Sequence, residues 1–231
     1  MYTSEDDPHT VAEEALRRVR DPEAFLKAFR QAHVEEQLRR RQFVEELSPD
    51  VKAEWIDGEA VYHSPAREIH NWTTHGLDVL LGIYSMFREP LLVRVEKAMI
   101  ELERDNFEPD LSVWRAADHR FERDQLLYPR PDLVVEVLSP KTRARDLGKK
   151  KREYGLAGTH EYWVVDTDAN TLTRYVNEGA GFSDGAQLAG RDRVFGAGDT
   201  VTSSWLPDLA FPMAAIWEDP ARKAWTVALV G

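Results

Sequence analysis

Pro131-Asp132-Leu133-Val134-Val135-Glu136-Val137-Leu138-Ser139-Pro140 is the stretch on which the fold turns. Residues 133–138 are apolar on both faces apart from Glu136, the mark of a central strand covered on both sides. Side chains alternate along a strand, so Asp132, Val134, Glu136 and Leu138 share one face. Leu133, Val135, Val137 and Ser139 take the other. A carboxylate buried mid-strand is expensive unless it is paired or binds a metal. Glu136 therefore requires a cation, and a nearby Lys or Arg answers that need as well as a metal does.

Downstream, Asp146 is expected to cap a helix running to about Leu156, with Gly158 as its C-cap. At ~100° per residue, Leu147 and Tyr154 fall nearly on one line, Lys150 and Lys151 flank it by about 50°, and Lys149 lies on the far face. One or two lysines thus lie along the stripe facing the sheet. Their stems pack while the ammonium groups reach the strand end, or they simply snorkel from a helix edge. Tyr162 to Val165 reads as a second buried strand, joined by a turn at 168–170 to a strand over 172–176. Ser139 faces away from Glu136 and suits a loop or capping role.

Upstream, residues 1–9 read as a disordered tail and 10–47 as helix, broken at Asp21-Pro22. This arm is expected to dock on the main domain or on a second copy. Residues 53–62 suggest two strands about an Asp57-Gly58 turn. Glu68 to Phe87 has core-facing spacing for a helix. Strands are expected over 91–95, 98–102 and 111–114, the last opened by Glu108-Pro109-Asp110. Residues 115–127 read as a polar linker with some helical pattern, and 206–217 pack the end. The whole implies mixed α/β: a helical extension (1–47), a main domain (48–217) and a C-terminal tail (218–231).

The 231 residues include no cysteine, which excludes disulfides, thiolate metal sites and a cysteine nucleophile. No apolar run approaches the ~20 residues of a membrane span, and the acidic N-terminal residues are unlike a signal peptide. A cytoplasmic protein is expected. Net charge is −11, which argues against non-specific nucleic-acid binding. Yet residues 141–152 hold seven basic residues (Lys141, Arg143, Arg145, Lys149, Lys150, Lys151, Arg152) and one acid. His70 and His75 lack the spacing of a one-face metal pair. His63 and His70 are read as packing or solvent contacts that could line a cleft near Glu59.

Asp and Glu oxygens suit a hard divalent cation. Such an ion lowers the pKa of a bound water, and a lysine beside it stabilises charge on a phosphate. Two strand-borne carboxylates with a helix-borne lysine point to metal-assisted phosphodiester hydrolysis, the basic run supplying phosphate contacts.

The residues 131–140, then Arg145-Asp146-Leu147-Gly148-Lys149-Lys150, Tyr154 and 157–166 closely resemble the Uma-two family, bacterial proteins assigned as endonucleases. So do Ile56-Asp57-Gly58-Glu59 with Ser64-Pro65, and the closing 205–212. The resemblance spans about 50 to 217. It implies the restriction-endonuclease-like fold, a mixed central sheet flanked by helices, whose signature is Pro-Asp then Asp/Glu-x-Lys. It further implies Asp110 and Glu136 as ligands of Mg²⁺ or Mn²⁺, Lys150 as the catalytic lysine with Lys151 as runner-up, and Glu59 as a further acid. Lys141, Arg143, Arg145, Lys149 and Lys151 are the expected nucleic-acid contacts. The chain departs from the signature at Leu138, where the superfamily has lysine. The expected substrate is DNA and the expected assembly a homodimer, by analogy of fold. A binding or regulatory protein that keeps the fold with little activity is the competing reading, followed by a structural role through the helical arm.

Overall fold

The computed structural model describes residues 7–183, 187–206 and 208–230. It divides into a helical unit ending at Ser48 and a larger unit from Pro49 onward. In the first, α1 (Pro8–Arg18) and α2 (Pro22–Glu46) each begin with proline behind an aspartate cap. Asp7 accepts from Thr10 N at 2.9 Å and Asp21 from Ala24 N at 3.0 Å. The break at Asp21-Pro22 falls as expected. Helix already begins at Pro8, within the stretch read as a tail, because Asp7 supplies a cap; residues 1–6 lie outside the described residues.

In the larger unit the order is β1 (Ala53–Ile56), β2 (Glu59–Tyr62), α3 (Glu68–Phe87), β3 (Leu91–Val95), β4 (Met99–Glu101), β5 (Asn106–Phe107), β6 (Leu111–Arg115), β7 (Leu127–Tyr128) and β8 (Leu133–Val137). A helical segment follows: a short turn α4 (Arg143–Arg145), a π turn (Asp146–Lys150) and α5 (Lys151–Leu156). Then come β9 (Glu161–Asp166), β10 (Thr171–Val176), β11 (Arg193–Phe195), β12 (Thr200–Thr202), β13 (Ala210–Pro212), a 3₁₀ turn (Met213–Ile216) and α6 (Asp219–Val230).

The main sheet runs β11-β10-β9-β8-β6-β3 and is mixed: β8 pairs parallel with β9 and antiparallel with β6. The parallel pair is why a helical crossover must separate them. β8 is buried along its whole length, as its apolar run predicts. Leu133, Val135 and Val137 pack with Leu77, Leu80 and Leu81 of α3. Val134, on the opposite face, joins Tyr154, Tyr162, Trp114 and Phe107 in a second core. A smaller sheet, β2-β1-β5-β4-β7, contributes Ile56, Ile100 and Phe107 to that second core. The alternation read from 131–140 therefore divides two cores.

The β1–β2 hairpin turns on Asp57 and Gly58, both at positive φ (53° and 83°), the conformation an Asp-Gly pair favours. Gly76 lets α3 lie against the 3₁₀ turn, since a Cβ there would meet Ile216 O at 1.8 Å. Three expectations need correction. Asp146 does not cap the crossover helix; the helix starts earlier, where Ser139 Oγ accepts from Thr142 N at 3.2 Å, and Asp146 is buried. Residues 115–127 hold no helix: Phe121 packs edge-on to Trp114 at 4.9 Å instead. Within the expected C-terminal tail, residues 219–230 form α6, which buries Trp225 and Leu229 in the core with α3.

Trp225→Ala is expected to cost about 3–5 kcal/mol in chemical denaturation. Val227→Ala, on the exposed side of the same helix, should stay within about 0.5 kcal/mol. Equal, small effects at both positions would show α6 to be peripheral.

Candidate active site

Where β6 begins and β8 ends, the sheet opens into a cleft of about 920 Å³ lined by Lys52, His70, Asp110, Glu136, Asp146 and Lys150, among others. Asp110 immediately precedes β6, and its Oδ2 accepts from Val137 N at 2.8 Å, which fixes the carboxylate against the end of β8. Glu136 is 3% exposed in β8 and faces the second core's side. Lys150 comes from the π turn of the crossover. Its Nζ lies 2.9 Å from Glu136 Oε1, 2.7 Å from Glu54 Oε1 and 3.7 Å from Asp146 Oδ1. π turns re-aim side chains within a helix and often sit at functional sites. Here both ends of the turn, Asp146 and Lys150, are buried.

The structure thus brings Asp110, Glu136 and Lys150 to one cleft. Lys151 takes a different direction: it is buried, with its ammonium 4.0 Å from the centre of the Tyr175 ring. It does not line the cleft. Lys149 reaches Asp57 and, at 3.1 Å, Asp105. Arg143 is tied to Asp166 at 2.6 Å. Lys141 and Arg145 remain on the cleft wall, the first donating to Ser64 Oγ at 3.0 Å, the second 3.7 Å from Glu54.

Glu59 is exposed on β2, opposite Ile56 beside the hairpin turn, and does not line the cleft. The buried acid of that hairpin is Glu54, five residues earlier. It accepts from Glu108 N at 2.9 Å and meets His63 Nε2 at 2.9 Å. A signal for it existed: β1 is Ala-Glu-Trp-Ile, buried throughout, so its one acid poses the question that Glu136 poses in β8. His70, read as a packing or solvent contact that could line a cleft, does line this one. From α3 its Nε2 comes within 3.2 Å of Asp110 Oδ1, beside Lys52 Nζ at 2.8 Å from the same oxygen. Its partners belong to other elements, so spacing along one helix is silent about them.

The charges explain one another. Burial opposes ionisation of Glu54, but the Lys150 ammonium and His63 outweigh it and hold the carboxyl at about 2. Asp110 is likewise kept well below its ordinary value, burial being overcome by Lys52 and His70. Burial pushes Glu136 far up, and its neighbours Asp146, Asp110 and Glu54 add to this against the pull of Lys150. Burial would neutralise Lys150, yet Glu136, Glu54 and Asp146 hold it well above the usual lysine value. Lys150 is therefore held as a cation, while burial weighs against the charge of Glu136.

The donor set fits a divalent cation. Asp110, Glu136 and Asp146 line the cleft as buried carboxylates, with buried Glu54 on the other side of the Lys150 ammonium, so hard oxygen donors are concentrated where water is scarce. Asp146 Oδ1 is buried without a hydrogen-bond partner. Among the described residues, His70, Glu96 and Asp110 also place ligand atoms within 4.8 Å of one another.

Known proteins bear on this geometry. No curated protein gives a significant match. A crystal structure of "a putative nuclease belonging to DUF820" from Anabaena variabilis ATCC 29413 shares the fold, with a TM-score of 0.59 at 17% identity over 75% of this chain and 90% of that one. The family model Uma2, described as "Putative restriction endonuclease", matches residues 35–214. The cleft, the crossover lysine and the buried strand acid all fall inside that match, and the chain belongs to the Uma2 family.

Proposed function

We propose that this protein is a metal-dependent endonuclease that hydrolyses phosphodiester bonds in DNA, working as a cytoplasmic homodimer. The observation that carries the reading is the meeting of Asp110, Glu136 and Lys150, from two strands and a crossover helix, within a cluster of buried carboxylates. Asp110 and Glu136 are the carboxylates that would hold Mg²⁺ or Mn²⁺. A bound ion would supply a water of lowered pKa and offset charge on the phosphate.

The rest of the work falls to the chain itself. Asp110 is held ionised by Lys52 and His70 and aimed by the Val137 N–H. Lys150 keeps its proton, so it serves as a hydrogen-bond donor and cation toward the phosphate rather than as a base. Glu54 positions that ammonium from the side away from solvent. Lys141 and Arg145 on the cleft wall suit contact with flanking phosphates. Among the described residues, no helix is long and apolar enough to cross a membrane. A binding protein with the same fold differs in one respect: it would hold nucleic acid without cutting it.

Cleavage of plasmid and linear DNA in Mg²⁺ or Mn²⁺ tests the reading. Glu136→Ala and Lys150→Met should each slow it by about 10²–10³-fold, while Glu59→Ala leaves it unchanged. Cleavage that survives Glu136→Ala removes Glu136 from the mechanism, and DNA binding without cleavage by the native protein establishes the binding reading.

Metal alone should stabilise the native chain, by about 2.7 kcal/mol at a hundredfold excess over Kd. Thermal melts of the native protein and Glu136→Gln should differ in this respect, the variant losing most of the gain.

Glu54 gives a pH signature. Its folded pKa of about 2 lies below its ordinary 4.5, so its stabilisation is complete above 4.5 and fades as pH falls through 2. Glu54→Gln should therefore be roughly 2–4 kcal/mol less stable than the native chain at pH 7, and the gap should narrow below pH 4. A gap that stays constant with pH would show Glu54 to be held by packing alone.

A further inference from the structure

Beside the Asp110–Glu136 pair lies a second group of ligating atoms. His70 Nε2 stands 3.2 Å from Asp110 Oδ1, and His70, Glu96 and Asp110 all offer ligand atoms within 4.8 Å of one another. They come from α3, from the turn after β3 and from the head of β6. Glu96 and Lys97 both adopt positive φ (46° and 47°), costly for side chains of this kind. That turn is tied down by Glu96 N donating to Asp110 O at 3.0 Å, and it carries the Glu96 carboxylate toward the cleft.

A cation already sits in this group. Lys52 Nζ is 2.8 Å from Asp110 Oδ1 and 3.7 Å from Glu96 Oε1, with its side chain 19% exposed. An ammonium on a flexible four-carbon stem can be displaced from a carboxylate by an ion of higher charge, and a side chain with some solvent exposure has somewhere to go. The residues left behind are two carboxylates and an imidazole. Oxygen ligands alone suit Mg²⁺, whereas an imidazole among them favours a first-row transition ion over Mg²⁺, with Mn²⁺ the paramagnetic probe of that class.

We infer that His70, Glu96 and Asp110 form a second cation position, filled by the Lys52 ammonium in the metal-free protein and open to a transition-metal ion when Lys52 withdraws. The inference deepens the nuclease reading and rests on it in one respect, that Asp110 is a metal ligand. Lys52 then acts as an internal competitor that sets how much metal is needed to load the site, and His70 biases which metal is taken.

Mn²⁺ binding to the full chain, followed by calorimetry and by electron paramagnetic resonance, tests this. The native protein at saturating Mn²⁺ should show nitrogen modulation from a directly bound imidazole, and His70→Ala should abolish it. Lys52→Met should bind Mn²⁺ at least tenfold more tightly than the native chain, with a smaller gain for Mg²⁺, and Lys52→Met/His70→Ala should lose the difference between the two ions. Mn²⁺ bound in a Glu136-dependent way, without nitrogen modulation in the native chain, overturns the second position and leaves the nuclease reading standing. No Mn²⁺ binding by either the native chain or Lys52→Met overturns both. Should Lys52→Met fail to fold, the native chain against His70→Ala still decides by the nitrogen signal.

Discussion

A glutamate in the middle of a strand buried on both faces is the constraint that orders this molecule. Glu136 cannot be solvated, so the fold must bring charge to it. The parallel pairing of β8 with β9 forces a crossover, and the crossover passes over the face that Glu136 occupies. Lys150 is delivered by that passage, and the π turn places it between Glu136 and Glu54. Remove the crossover's lysine and three carboxylates are left to repel one another in a place water barely reaches. The topology of the sheet and the chemistry of the cleft are thus one arrangement.

Such an arrangement works against stability. Four buried acids with two lysines leave like charges close together, and burial together with the neighbouring carboxylates pushes Glu136 upward. Buried ion pairs seldom repay their desolvation in full. The offset comes from elsewhere: the apolar core between the main sheet, α3 and α6, and the backbone N–H groups of Val137 and Glu108 that donate to Asp110 and Glu54. A hydrophobic residue at position 136 would pack without such support, so the acid is explained by what it does rather than by what it stabilises.

How much of this was legible follows from where each signal lies. The alternation over 131–138 and the helical wheel over 147–154 are periodic features within single elements. They identify the buried strand, its acid, and the two lysines on the sheet-facing stripe, both of which are buried in the structure. The wheel leaves the choice between them open, because 50° on either side of a line is symmetric. The π turn and the Tyr175 ring break that symmetry, sending Lys150 to Glu136 and Lys151 away. His70 and Lys52 lie in segments whose own patterns are unremarkable in isolation, and they matter through Asp110, 40 and 58 residues further along the chain, as Glu54 matters through Lys150, 96 residues on. Glu59 drew notice through the Asp-Gly turn beside it, yet that turn leaves it exposed. Asp146 resembled a cap because short polar residues do cap helices; the earlier start at Ser139 and Thr142 turned it inward instead.

The overall charge of −11 looks opposed to a polyanionic substrate, and the cleft sharpens the conflict, since its floor is acidic as well. Long-range attraction cannot draw a duplex to this surface. On the nuclease reading, recognition must then be short-range: Lys141 and Arg145 at the wall, and a floor whose sign changes when a divalent ion is held there. Each divalent ion taken up by that floor shifts its charge by two toward positive. Substrate affinity and metal occupancy are in that case linked quantities, each raising the other by the same factor. The lysine beside Asp110 belongs to the same balance, because an ammonium that gives way to a dication both loads the floor and frees a positive charge next to the phosphate's path.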